Sequence, residues 1–150
     1  MTTNPPPAPG TLIQPYLFFG GRCEEALAFY RAALGAEIDM LMLFKDSPEP
    51  IPPGVLQPGF ENKVMHASFR IAGNTLMASD GRGEKSPFSG FALTYSVPTV
   101  AEADRVFALL ANDGHVQMPL GATFWSPRFG MLTDRFGIMW MVIVPAELSK

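Results

Sequence analysis

Two stretches of the chain place apolar residues at helical spacing, and both carry start and stop signals. In the first, Leu27, Tyr30 and Leu34 share one face, and Glu24 and Glu25 sit where the positive end of a helix favours carboxylates. Gly35 then offers a left-handed exit, so a helix is predicted over Cys23–Leu34. In the second, Thr99 and Glu102 have capping-box spacing, Ala103, Phe107 and Leu110 line one face, and Gly114 closes a helix over Val100–Ala111. The other apolar runs are short or alternate. They predict strands over Ile13–Phe19, Glu37–Phe44, Lys63–Ala72 and Asn74–Ser79, then Phe91–Val97, His115–Met118, Phe129–Thr133 and Ile138–Val144. Turn residues at Gly73-Asn74 and at Asp134 to Gly137 make hairpins of the last two runs in each set.

The order is βαβββ written twice. Glu25-Ala26, Phe29-Tyr30 and Gly35 recur as Glu102-Ala103, Val106-Phe107 and Gly114, displaced by 77 to 79 residues. One such module covers a single sheet face with its helix, so two must combine around a shared surface, and that surface is a cleft. Nine of the 15 prolines lie in Pro5–Pro9 and Pro48–Pro58, which can join neither a helix nor a central strand. The first stretch reads as a tail over residues 1–11, the second as a loop. One α+β domain is expected over residues 12–147, with repeats at about 12–80 and 89–147.

Composition narrows the function classes. Of the 150 residues, 47% are hydrophobic and only 17% charged, which suits a compact core and excludes global disorder. The purely apolar run Ile138–Val144 is far shorter than the roughly 20 residues of a membrane span. The beginning MTTNPPPAPG has neither the basic start nor the apolar stretch of a secretory signal, so a cytoplasmic location is expected. Net charge is -3 and the basic residues are scattered, which argues against nucleic acid as a partner. The single cysteine, Cys23, cannot form an internal disulfide and reads as a structural thiol.

The runs PYLFFGGRCEEALAFYRAALGAE, HASFRIAGNTLMASD, SPFSGFALTYSV and MPLGATFWSPRFGMLTDRFGIMWM, in this order and spacing, resemble the PhnB-like branch of the glyoxalase/bleomycin-resistance superfamily, the vicinal oxygen chelate proteins. The resemblance implies paired βαβββ modules forming a cupped mixed β-sheet, and a homodimer. Several members of that branch carry a demethylubiquinone methyltransferase label. Metal-dependent superfamily members place His, Gln or Glu ligands at matching strand positions of each repeat. By this resemblance Gln14 holds the first ligand position, but Gly90 and Phe91 hold the second and Met141 stands nearest the last, where a thioether suits divalent ions poorly. No resident cofactor is therefore expected, with a divalent metal ion as the alternative.

The polar candidates for chemistry are His66 and Asp80, on the two strands of one hairpin. A three-residue turn around Gly73 sets them opposite each other, whereas a two-residue turn puts them on opposite faces. If they meet, Asp80 orients His66 as a general base or both ligate a relocated metal; otherwise they only help to terminate the strands. His115, just past a helix end, suits a capping role. In Ala122–Arg128, Phe124 and Trp125 either plug the core or line a pocket mouth, and Arg128 could grip a carboxylate or phosphate. Met40, Met42, Met65, Met77, Met131, Met139 and Met141 fall on predicted strands, where they repack around apolar ligands or simply fill the core. Gly81-Arg82-Gly83 is followed by Glu84, Lys85 and Pro87 and leads into another strand rather than a helix, so the turn of a nucleotide-fold methyltransferase is lacking. The leading expectation is a small-molecule-binding protein whose cleft is lined by Gln14, Tyr16, His66, Asp80, Phe124, Trp125, Arg128, Trp140 and Met141. A metal-dependent lyase, isomerase or dioxygenase, and a structural or regulatory dimer with a filled cup, are the alternatives.

Overall fold

The computed structural model describes residues 4–81 and 87–146. Its elements run β1 (Tyr16–Phe18), α1 (Cys23–Leu34), β2 (Glu37–Leu43), a 3-10 turn (Phe44–Asp46), β3 (Val64–Ile71) and β4 (Asn74–Ser79). They continue as β5 (Leu93–Ser96), α2 (Val100–Ala111), β6 (His115–Gly121), β7 (Arg128–Thr133) and β8 (Met139–Val144). Two four-stranded mixed sheets result, ordered β1-β4-β3-β2 and β5-β8-β7-β6, so the second repeats the topology of the first. In each, the first strand pairs parallel to the last and the other pairs are antiparallel. The Gly81-Arg82-Gly83 stretch runs out of the described residues after Gly81.

Both helices have the predicted bounds, because their signals are local. Thr99 Oγ1 accepts from the Glu102 amide at 3.2 Å and caps α2. Gly35 takes the left-handed conformation (φ 69°, ψ 30°) that ends α1. After α2 it is Asp113 that turns left-handed (φ 59°), not Gly114. Gly114 is needed for space, since a Cβ there would collide with the Thr133 carbonyl. Arg135, rather than His115, reaches the end of α2, donating from Nε and a terminal nitrogen to the Asn112 carbonyl.

Strand ends differ from the pattern where a neighbour sets them. β1 keeps three residues: Pro15 lacks an amide for the ladder, and Leu12 and Ile13 lie 72% and 100% exposed in front of it. β6 runs on to Gly121 through Pro119, which it tolerates as an edge strand. The β3–β4 turn is the two-residue Ala72-Gly73, both at positive φ, with Ile71 paired to Asn74.

A single apolar core joins the helix-facing sides of both sheets. Leu17, Phe69, Leu76 and Ala78 of the first sheet and Leu132, Trp140, Val142 and Val144 of the second belong to it, with Tyr30 of α1 and Leu110 of α2. Phe19, Phe29, Tyr30 and Phe136 pack across the joint, edge-on except for the tilted Phe19–Tyr30 pair, their ring centroids 5.5 to 6.2 Å apart. Among the described residues, neither helix lies on the opposite face of either sheet.

Candidate functional site

Register assigns side chains to the two uncovered faces. Across β2, β3, β4 and β1, Met40, Ser68, Met77 and Tyr16 stand in one row, with Met42 and His66 in the next. Across β6, β7, β8 and β5 the matching row is Met118, Met131, Met141 and Thr94. The Thr94 hydroxyl lies 3.8 Å from the Met141 sulfur, so the row is in contact. These residues are half-buried or exposed; Met40 and Met118 are each 42% exposed. Of the strand methionines, Met65 is the exception: it falls in the irregularity opposite Met42 and Leu43.

His66 does not meet Asp80. The two-residue turn pairs Ala67 with Ala78 and sends the two side chains to opposite faces. His66 Nδ1 lies 3.0 Å from Tyr16 Oη across the open face, ring centroids 5.6 Å apart. Asp80 is buried and holds backbone: Oδ1 accepts from the amides of Gly21 (2.6 Å) and Cys23 (3.0 Å), and Oδ2 from Val64 (3.0 Å). It is therefore the N-terminal cap of α1, delivered from the end of β4. Cys23 lies beneath that cap, and burial, with Asp80 and Glu24 adding, pushes its thiol well above the ordinary range.

Two further candidates, Arg128 and Trp140, also sit away from the open faces. Arg128 points to the helix side, where Nε donates to Asp104 Oδ1 of α2 at 3.1 Å, since it shares strand parity with core-facing Leu132. Trp140 belongs to the core and donates from Nε1 to Asp134 Oδ2 at 2.9 Å. Gln14 lies in coil two residues before β1. Phe124 and Trp125 do not plug the core: they are 97% and 45% exposed. Trp125 packs edge-on against Phe129, which shares parity with Met131, so this pair stands beside the open face of the second sheet. Thr123 and Ser126 tie the loop: Thr123 N donates to the Ser126 carbonyl (2.9 Å) and Ser126 Oγ to Val144 O (2.6 Å).

The sequence reading missed the most heavily used buried carboxylate. Asp134 accepts from Tyr30 Oη (2.5 Å), Trp140 Nε1 (2.9 Å) and the amides of Phe136 (2.9 Å) and Ile138 (3.1 Å). Burial, then the Asp134 charge, pushes the Tyr30 phenol well above its ordinary value. Asp followed three residues later by Gly is a turn signal, but nothing local points to a phenol 104 residues away.

The ligand set of metal-dependent superfamily members does not fit these residues. Among the described residues no three His, Cys, Asp or Glu side chains gather at one centre. Gly90 and Phe91 have no donor side chain, and β8 presents Met141. A cleft of about 370 Å³ opens where the β3–β4 turn meets β5, walled by Pro15, Leu76, Thr94, Tyr95, Ser96 and Trp140. Among the expected lining residues, only Trp140 reaches it. No described helix is long and apolar enough to cross a membrane.

Comparisons with known proteins agree with this architecture. The sequence profile described as 3-demethylubiquinone-9 3-methyltransferase matches residues 11–143. The crystal structure of protein PA1353 from Pseudomonas aeruginosa is 41% identical, with a TM-score of 0.79 over 91% of this chain and 98% of that one. A Bacillus cereus PhnB protein, titled a putative 3-demethylubiquinone-9 3-methyltransferase, is 32% identical, with a TM-score of 0.74 over 89% and 99%. At 14% identity, a glyoxylase/bleomycin resistance protein/dioxygenase domain from Frankia sp. EAN1pec shares the fold, with a TM-score of 0.59 over 93% and 95%. With its doubled βαβββ topology and this profile match over nearly its whole length, the chain belongs to the PhnB-like 3-demethylubiquinone-9 3-methyltransferase family, which has the glyoxalase/bleomycin-resistance fold.

Proposed function

We propose that the protein is a cytosolic homodimer that binds a small, partly apolar molecule between uncovered sheet faces, without a resident metal ion. The observation that carries the reading is the pair of matching rows, Met40-Ser68-Met77-Tyr16 and Met118-Met131-Met141-Thr94, on faces that no described helix covers. Each chain then contributes one face to each of two clefts, the first sheet of one copy opposing the second sheet of the other. Exposed Phe124 and Trp125 stand at the rim. Methionine supports such a role because its flexible, polarisable side chain repacks around differently shaped apolar ligands. Burial of ligand apolar area at about 25 cal/mol per Å² drives binding.

Methyl transfer is not carried over from the family description, since the Gly20-Gly21 turn between β1 and α1 runs on as Arg22-Cys23-Glu24 and lacks the G-x-G-x-x-G spacing that cradles a nucleotide-type methyl donor. The test is a thermal-shift screen of metabolites and antibiotics on chelator-treated protein, with elemental analysis and light scattering on the same preparation. A responder raising the melting temperature of a dimer that holds no stoichiometric metal is expected. A monomer at micromolar concentration with no responder, or a bound divalent ion whose removal lowers the melting temperature, would overturn it.

A further inference from the structure

The two open faces differ in one chemical respect. The first sheet offers polar tips at Tyr16, His66 and Ser68, whereas the matching positions of the second carry Thr94, Phe129 and Met131. A ligand held between them therefore meets three hydrogen-bonding side chains among methionines on one side, and on the other thioethers and aromatic carbon with the single hydroxyl of Thr94.

The Tyr16–His66 contact fixes which group faces that ligand. A phenol, with a usual pKa of about 10, is a better donor than a neutral imidazole N–H, and an unprotonated imidazole nitrogen is a good acceptor. Tyr16 Oη–H thus donates to His66 Nδ1 across their 3.0 Å separation, and the ring proton is left on Nε2. Nε2 has no protein partner among the described residues. The nearby cation does not select for an anion, because Arg70 is already engaged by Asp39 and Glu37. Tyr16 also packs on Phe18 at 4.9 Å, which extends a flat apolar wall beside the donor.

We infer that the ligand is an aromatic compound bearing an uncharged carbonyl oxygen, which accepts from His66 Nε2–H while the ring lies against the methionine row of the opposing sheet. His66 is the ligand-binding donor, and Tyr16 is a positioning residue that acts through it. The inference rests on the cleft proposed above.

Two measurements test it. Nitrogen-15 NMR of the imidazoles should show His66 as the Nε2–H tautomer, and as a mixture in Tyr16→Phe; an Nδ1–H tautomer in the unaltered protein overturns the assignment. Binding of 2-acetylnaphthalene and of 2-ethylnaphthalene, which lacks the oxygen, is followed by tryptophan fluorescence. The ketone should bind about five- to ten-fold more tightly, the worth of one hydrogen bond. That preference should vanish in His66→Phe and return in part in His66→Gln, which restores an N–H donor. Equal binding of the two probes, or a preference that survives His66→Phe, overturns this inference and leaves the cleft standing. Failure of both probes to bind overturns the inference; the cleft falls with it only where the thermal-shift screen also finds no responder.

Discussion

Asp134 takes four donors drawn from both repeats, so its side chain has more to lose than any other polar group in the core. Replacement by Ala would strand Tyr30 Oη, Trp140 Nε1 and two amides in a dry setting; a loss of about 3–5 kcal/mol is expected in urea unfolding. Tyr30→Phe removes one donor and leaves three, so about 1–2 kcal/mol is expected. Cys23 and Tyr30 also set an alkaline limit. Both hold their protons in the folded chain beyond the pH at which they ionise when unfolded. Above about pH 8, where an unfolded cysteine begins to ionise, the unfolded state therefore binds fewer protons, and stability falls as pH rises. The urea midpoint should stay level from about pH 7 to 8 and drop towards pH 11, less steeply in Tyr30→Phe; a level midpoint throughout contradicts this. The sequence showed His66 and Asp80 as neighbours on a hairpin but left their meeting to the turn length. Ala72, which adopts φ 51°, is not a residue type that announces a left-handed turn.

At the level of elements, helices were legible to the residue because caps and face spacing lie within one segment, as with Thr99 and Gly35. Strand ends were not, because they depend on partners: β1 stops where β4 stops pairing with it, and β6 continues past Pro119 because it is an edge. The two glycines that follow helices separate two physical causes. At Gly35 a Cβ meets nothing within 4 Å, so Gly35→Ala should cost only the left-handed backbone, about 1 kcal/mol. At Gly114 the Cβ meets the Thr133 carbonyl and the Asp134 backbone, which cannot give way as a side chain would. Gly114→Ala should lower the melting temperature several times as much as Gly35→Ala, and a reversed order would refute the close-approach argument.

For the molecule as a whole, the doubling was legible: α1 and α2 begin 77 residues apart, and β2 and β6 begin 78 apart. The expectation that the two halves share a cleft is corrected by the structure: they join through their helix sides around a filled apolar core. That joint rests on contacts such as Arg22 over the Phe136 ring and Arg135 over Phe29, at 4.5 and 4.3 Å. The exposed aromatic loop gives a test at this scale. Because Phe124 stands in the open, Phe124→Ala should change the urea stability of the isolated chain by less than about 0.5 kcal/mol. A loss of several kcal/mol measured under dissociating conditions would mean that the side chain supports its own core. The Tyr30–Asp134 bond has one more consequence. Its hydroxyl belongs to the first repeat and its acid to the second, so a chimaera that takes one half from a cousin lacking its end of the bond should carry the cost of that end. Loss of the phenol should be the milder defect and loss of the acid the graver one, since the acid also holds Trp140 and two amides.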